Sequence, residues 1–572
     1  MTFSDTSFNV RRSDVDGLRD DAQLTTIDRH VPLTSLSDYQ ELCDSFCLNV
    51  PEFFNFGFDV VDQWAKTDPD LMAMRWVNIS GEDRKITFAE MSYRSNQVAN
   101  ALFKLGLKPG DQVLVLLPSR AEWWEVMIGI TKAGMIAIPA TKQLTEKDIS
   151  FRIESAEIDA VITDDSSSRK VDHAARGSQH LLYKILIGKN EPTTGWESYH
   201  ELVDNSSTGS NFEKTKSDQP ALIYFTSGTT GPPKMVLHTH ASYGIGHQIT
   251  ARFWLGLDKG RLHWNLSDPG WAKTAFSGYF APWIAGSTVF ICDHPGKFDA
   301  QTVLDCLTNY PIESLCAPPT VYRMLIQKDL STFNPSALRY CMAAGEPLNI
   351  NVLNEWREQT GMTIREGYGQ TETVILCASI PDLEVKPGSM GLPPPGLEVA
   401  IIDQDGNRLP PGEQGEIAVR VKPKRPIGLF HGYWQNPDAT ARCYRGDWYL
   451  TGDCAYADDD GYLWFVARAD DIITSSGYRI GPFEVENALM QHPAVAEVAV
   501  VGKPDSQRTE IVKAFVVLAE GFQSSDALAN ELQEHTKKTT APYKYPREVE
   551  FLDQLPKTPS DKIRRVELRK RG

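Results

Sequence analysis

Residues 221–234 read ALIYFTSGTTGPPK, an apolar run leading straight into a loop of small hydroxyls and glycines that closes on two prolines and a lysine. Ala221, Leu222, Ile223 and Tyr224 in a row read as a buried strand. Behind them Thr226, Ser227, Gly228, Thr229, Thr230 and Gly231 combine tight-turning backbone with hydroxyl donors, and Lys234 adds a positive charge. Glycine lets backbone N–H groups approach a ligand closely, so a loop of this make-up suits an anion with several oxygens, most simply a nucleotide triphosphate. It is not a Walker A loop. That motif joins glycine, lysine and hydroxyl contiguously at a helix start, whereas here two prolines separate Gly231 from Lys234 and Met235 follows.

The chain around this loop alternates helical and strand-like patterns. In ITFAEMSYRSNQVANALFKLGLKPGDQVLVLLP, Val98, Leu102 and Leu105 recur at helical spacing, Gly106 ends the helix, Pro109-Gly110 turns, and VLVLL reads as a buried strand. A helix over 123–130 and a strand in MIAIPA follow. Residues 164–218, rich in Ser, Asp, Asn and Thr, read as containing a surface excursion. Beyond the loop the alternation resumes with STVFIC, DAQTVLDCLTNY, IESLCAPP and TVYRMLIQKDL. Helix and buried strand at this interval predict a parallel, doubly wound α/β sheet. Near Gly388 the texture changes to short strands between Gly/Pro turns (LEVAIID, GEIAVRV, YLWFVAR), a β-rich subdomain. After Arg468 come a helix (PFEVENALMQHP), two strands (VAEVAVVG, VKAFVVL), a helix over 526–540 and a basic tail. The expected organisation is a large N-terminal domain of doubly wound α/β subdomains plus the β-rich subdomain (1–469), followed by a small α+β domain (470–572).

A length of 572 residues is too great for one core and implies about three or four compact units. The net charge of −17 argues against general nucleic-acid binding, and any site for a polyanion must be locally basic. The nine cysteines are scattered, with no CxxC pair, which suggests a reducing compartment. No run approaches the length of a membrane span. The opening MTFSDTSFNVRRSDVDG lacks an apolar core, and five aspartates by position 21 count against a transit segment. The expected location is cytoplasmic.

TSGTTGPPK resembles the phosphate loop of the adenylate-forming superfamily, and further stretches match that superfamily in its order over roughly 90–565. The resemblance implies ATP contacts at Thr226, Ser227, Gly228, Thr229, Thr230, Gly231 and Lys234. AAGEPLN is similar to an adenine-side loop, with Gly345, Glu346 and Pro347. EGYGQTE supplies Glu366, Gly367, Tyr368, Gly369 and Gln370, then Thr371 on the α-phosphate and Glu372 as the Mg²⁺ ligand, a carboxylate being the right donor for a hard ion shared with phosphate. YLTGD is expected to end a strand at Asp453, which would hold the ribose together with Arg468. Asp470 matches the interdomain hinge and Arg479 an arginine near the phosphates. PKTPSDKIRR resembles the last signature, in which Lys562 is the catalytic lysine of adenylation; Asp561 stands where the family has glycine.

The nearest family members by motif are medium-chain and branched-chain acyl-CoA synthetases. For coenzyme A the likeness implies Gln143, Ser476, Gly477, Tyr478, Arg508, Lys537, Tyr545 and Arg547. For the acyl pocket it implies Trp271 and Gly369, the latter standing where acetyl-CoA synthetases carry a tryptophan plug. Lys273 is unexpected in an apolar tunnel, because an unpaired buried ammonium is costly. The expected reaction is ligation of a small carboxylic acid, medium-chain or branched short-chain, to CoA through an acyl-adenylate, using Mg-ATP. The rivals are an adenylating enzyme that serves a carrier protein or amine, and a weakly active adenylate-binding regulator suggested by Asp561.

Overall fold

The computed structural model describes residues 33, 35–188, 194–226, 233–294, 296, 298–476, 478–505, 507–558 and 562–571. The tip of the phosphate loop (Ser227, Gly228, Thr229, Thr230, Gly231), Gly477, Asp561 and the side chain of Arg479 therefore lie outside the described residues.

Two eight-stranded sheets form the body. One runs in the spatial order Gly432–Tyr433, Lys234–Thr239, Pro220–Thr226, Ile136–Pro139, Gln112–Leu116, Ala160–Asp164, Tyr183–Ile187, Glu197–Ser198. The other runs Ile375–Ala378, Ile364–Gly369, Tyr340–Ala344, Ser314–Ala317, Leu262–Asn265, Thr288–Asp293, Met72–Asn78, Asp83–Thr87. The central strands of both are parallel, and antiparallel strands sit at both edges of the second sheet and at the Gly432–Tyr433 edge of the first, as the alternating sequence pattern predicts. The helix behind VLVLL spans Phe88–Leu105. Thr87 and Glu90 close its N-terminus in a capping box, and Gly106, at φ 105°, ends it as the sequence predicts.

The 164–218 stretch is not simply an excursion. It contributes a helix (Asp165–Ala174), two sheet strands and a helix (Tyr199–Asp204). Its polar residues cap and cover these elements: Asp164 accepts from the backbone of Ser166, and Ser198 from that of Glu201. Polar composition marked exposed faces and caps there rather than an absence of structure.

Between the sheets lies a core built on large aromatics, among them Phe56, Phe88, Trp123, Trp124, Tyr279 and Trp283. Trp124 donates to the Gly278 carbonyl and Trp283 to that of Ala73, each at 2.9 Å, so these two indole N–H groups are satisfied inside it. One charge pair is sealed alongside. Lys132, with no exposed surface, places its ammonium 2.5 Å from Asp62 and 2.8 Å from the Asn96 side-chain carbonyl.

The β-rich subdomain is a five-stranded sheet in which Trp448–Ala457 pairs with Gly415–Arg420, Tyr444–Arg445 and Leu463–Arg468. Chain beyond Asp470 builds another five-stranded sheet from Ile473–Ser475, Tyr478–Ile480, Val495–Asp505, Thr509–Leu518 and Glu548–Phe551. The helices Pro482–Leu489 and Asp526–Thr539 complete that unit around its own core, which includes Val485, Leu489, Val500, Ala514 and Leu532. It touches the body where Asn349 donates to the Asn487 side chain at 3.0 Å and where Phe465 meets Phe483 edge-on.

Candidate active site

EGYGQTE leaves the sheet at the end of strand Ile364–Gly369 and meets the middle of strand Trp448–Ala457. Asp453 is therefore internal to its strand, not its last residue. It faces Arg468 across the ladder, just before an irregularity at Cys454/Ala455 that re-aims the strand. Tyr368 donates its hydroxyl to Asp453 Oδ2 at 2.6 Å and Gln370 donates to the same oxygen at 2.8 Å. The Arg468 guanidinium stands 4.0 Å from Oδ1. Gln370 also donates to the Thr451 carbonyl and accepts from Tyr449. Burial raises the Asp453 carboxyl, while Arg468, Tyr368, Gln370 and the charge of Lys562 pull it back. Tyr368, Gln370, Asp453 and Arg468 thus converge, although up to 100 residues of sequence separate them, and the charge of Lys562 is felt there.

Thr371 and Glu372 are held by residues that the sequence motifs did not single out. The Thr371 carbonyl lies 2.7 Å from His238 Nε2 and accepts from the Tyr243 hydroxyl at 2.6 Å. A carbonyl only accepts, so Nε2 carries the proton, and burial lowers the His238 pKa to about 3, which keeps the ring neutral. Glu372 accepts from the Tyr433 hydroxyl at 2.8 Å through Oε1, and the Lys234 ammonium sits 4.8 Å from the centre of the Tyr433 ring. Tyr433 reaches this place because its two-residue strand pairs with Val236, on the strand that leaves the phosphate loop. No local signal marks Tyr433 or Tyr449; His238, in the HTH after the loop, carries one only as a histidine next to a recognised motif.

On the adenine side, Gly345 is left-handed at φ 101°, and Glu346 accepts from Thr320 and pairs with Arg323 at 3.7 Å. Pro347 follows in the same loop. Gly367 packs against Trp254, where a Cβ would approach the indole to 2.4 Å. Glu366 is buried, and desolvation pushes its carboxyl up to about 8, so it is neutral at pH 7.

Gly369 has a backbone reason to be glycine. A Cβ there would stand 2.7 Å from the Val374 carbonyl oxygen and 3.2 Å from the Phe276 ring. Any side chain must push the main chain, so a tryptophan at this position is not a clean plug. Phe276 packs in turn on His247 at 4.6 Å between ring centres, on a π-helical turn, Ala275–Phe280, a geometry often found at functional sites. Trp271 is half-buried at the N-cap of the short helix Ala272–Thr274 that leads into that turn. Lys273 resolves its oddity by donating to the Ala344 carbonyl at 3.0 Å, with its pKa lowered to about 8 by burial. If Phe276 lines the acyl end, Phe276→Ala should shift the optimum toward longer acids and lower kcat/KM for short ones by about tenfold, roughly the worth of two methylene contacts. A chain-length series from two to eight carbons measures it, and an unmoved profile places the acyl group elsewhere.

Five of the residues expected to meet CoA form two groups in the C-terminal unit. Arg508 donates to the Ser476 hydroxyl at 3.0 Å, and Ser476 is left-handed at φ 52°. Lys537 lies over the Tyr545 ring at 4.2 Å, while Arg547 donates to the Tyr545 hydroxyl at 2.7 Å. Tyr478 is half-exposed and stacked on Tyr543. Gln143 is apart from these, exposed in the turn before helix Glu146–Ser155. Arg479 is paired in register with Thr474. Lys562 is exposed at the end of a turn in which its N–H donates to the Thr558 hydroxyl, and its charge is felt at both Asp453 and Lys273.

Among the described residues no cluster of three or more His, Cys, Asp or Glu could cage a metal. The single carboxylate of Glu372 fits an ion that takes most of its ligands from phosphate and water, as Mg²⁺ does, and would hold it there.

Comparison with known proteins agrees with this geometry. A family profile described as "AMP-binding enzyme" matches residues 61–434, and one described as "AMP-binding enzyme C-terminal domain" matches 484–562. The chain is 47% identical over 545 residues to acyl-coenzyme A synthetase ACSM3, mitochondrial, of Mus musculus, covering 94% of each. Among solved structures it superposes on the anthranilate CoA ligase AuaEII in complex with anthranoyl-AMP with a TM-score of 0.83 and 30% identity, covering 91% of this chain and 98% of that one. An acyl-CoA synthetase of Brucella canis gives a TM-score of 0.72 and 33% identity, covering 93% and 98%. The chain belongs to the AMP-binding enzyme family, among its AMP-forming acyl-CoA synthetases. The cytoplasmic expectation is overturned: the relatives ACSM3, ACSM4 and ACSM5 all carry the designation mitochondrial.

Proposed function

We propose that the chain activates a medium-chain or branched short-chain fatty acid, in mitochondria, in two steps on one site. The observation that carries this reading is the convergence of Tyr368, Gln370, Asp453 and Arg468 under the charge of Lys562. Tyr368 and Gln370 fix the Asp453 carboxylate so that its Oδ1 faces the ribose hydroxyls, with Arg468 alongside. Thr371, its backbone pinned by His238 and Tyr243, presents its hydroxyl to the α-phosphate. Mg²⁺ held by Glu372 would neutralise phosphate charge, and Tyr433 orients that carboxylate for it. Lys562 then stabilises the negative charge that builds on the departing pyrophosphate as the acid attacks. Gly345, Glu346 and Pro347 would wall the adenine.

For the second step, the domain boundary falls at Ala469–Asp470 and the C-terminal unit would rotate about Asp470, bringing residues 476–478 to the adenylate. Two facts support the boundary: the family profiles stop at 434 and resume at 484, and the last sheet is built wholly from residues beyond 472. CoA would thread past Ser476, Gly477 and Tyr478, its phosphates meeting Arg508, Lys537 and Arg547. A pyrophosphate-release screen over carboxylates from acetate to dodecanoate, with branched and aromatic members, tests the substrate class; turnover confined to aromatic acids defeats it.

Arg508→Ala is expected to raise KM for CoA more than for dephospho-CoA, because a charge-assisted contact to the 3′-phosphate contributes about 1.5–3 kcal/mol when well made. Equal changes for both thiols would remove that contact and favour a carrier-protein acceptor.

A further inference from the structure

The chain on the two sides of Asp470 is fixed to different bodies. Upstream, Ala469 donates its N–H to the Gly452 carbonyl at 2.9 Å, and Arg468 is laddered to Asp453, so the main chain belongs to the β-rich sheet up to Ala469. Downstream, the Asp470 carbonyl itself accepts from Arg569 at 3.1 Å, and Asp471, buried, is paired with the same guanidinium. Arg569 sits on the last helix, Arg565–Arg569, which is anchored to the C-terminal sheet. Its Leu568 is fully buried against Ala499, Val501, Phe515 and Leu555. Its Arg565 grips Glu486 with bonds of 2.6 and 2.8 Å, and Glu486 also accepts from the Val500 N–H. Two contacts cross the junction: the Asp471 N–H to the Arg468 carbonyl at 3.0 Å, and Arg468 to the Asp470 carboxylate at 3.3 Å.

We propose that Arg569 is a positioning residue of the thiol step, riveting the peptide plane after Asp470 to the C-terminal unit so that domain rotation is confined to the two backbone torsions of Asp470. The inference rests on the domain alternation set out above. An oxygen beyond the Cα of the pivot moves with whatever lies downstream, so the Arg569–Asp470 bond survives rotation while both crossing contacts break. Without the rivet the swivel spreads over several residues, and the C-terminal unit samples more orientations. The fraction poised for CoA attack falls, and turnover falls with it. The adenylating orientation keeps the Asn349–Asn487 and Phe465–Phe483 contacts, so it suffers less.

In the full-length enzyme, Arg569→Ala should lower kcat for acyl-CoA formation roughly tenfold while ATP–pyrophosphate exchange stays within about twofold and KM for CoA is unchanged. Arg569→Lys, which keeps one donor and the charge opposite Asp471, should recover part of the loss. Equal loss of both half-reactions would make Arg569 merely structural and overturn the proposal, as would unchanged turnover or a rise confined to KM for CoA. Asp470→Pro, which restricts the pivot itself, separates the two levels of the argument. If that variant makes acyl-CoA at the wild-type rate, domain alternation about Asp470 fails, whatever Arg569 does.

Discussion

Lys562→Ala is expected to slow adenylate formation by about 10²–10³-fold, the cost typical of losing one preorganised partner of transition-state charge. The same variant should convert supplied acyl-adenylate and CoA to acyl-CoA at close to the wild-type rate, because in the alternation proposed above the lysine serves only the first step. In the orientation seen here its charge already reaches Asp453 and Lys273, the ribose side and the acyl side of one site. Pyrophosphate exchange and single-turnover thioester formation, measured separately, decide the matter. Adenylation at near the wild-type rate would mean that another cation does the work, and Lys234 or Arg479 would be examined next. Asp561, next to Lys562 in the sequence, lies outside the described residues, so the comparison to make is Asp561→Gly. Faster adenylation in that variant would show that the acidic neighbour restrains the lysine.

The second large effect concerns stability. Lys132→Met should cost about 3–5 kcal/mol, since removing one partner of a sealed ion pair strands the other charge. Asp62 is 4% exposed and Asn96 3%, and neither is placed to recover solvation. The double change Lys132→Met with Asp62→Leu should regain most of the loss, because an apolar pair of similar volume needs no compensation. Urea unfolding followed by tryptophan fluorescence reads the first transition, in which the aromatic core between the sheets is lost. A single variant as stable as the wild type would show that water reaches Asp62.

Most of the framework was legible because the signals were local. A capping box and a left-handed glycine bracket Phe88–Leu105, and runs of β-branched residues mark the parallel strands. The 164–218 stretch misled because caps and exposed faces draw on the same small polar residues as loops. At the site, the residues expected to touch substrate lie in contiguous motifs, whereas those that hold them in place carry no such local signal. Tyr433 supports a carboxylate sixty-one positions away, and His238 a carbonyl 133 positions away. Only the sheet pairing of 432–433 with 236–237 creates the first of these contacts. Gly369 shows the converse, a residue readable by likeness as a pocket opening that the fold also requires for the close passage of Val374.

If the loop beside Glu366 meets the nucleotide as proposed, the neutral carboxyl of Glu366 would couple that recognition to proton activity. A glutamate in the unfolded chain ionises near pH 4.5, whereas this one holds its proton up to about 8. Between those values folding takes up a proton, so the stability contributed here is fully present below about pH 4.5, falls as pH rises, and is gone above about 8. The wall beside the adenine would then be the first part of the site to loosen, by swelling around a newly formed anion rather than by losing any contact to ligand. Glu366→Gln carries the same shape without the titration, and it should flatten the falling limb of thermal stability between about pH 4.5 and 8 and any change of KM for ATP near pH 8. If that limb persists unchanged, the proton on Glu366 is not what sets it.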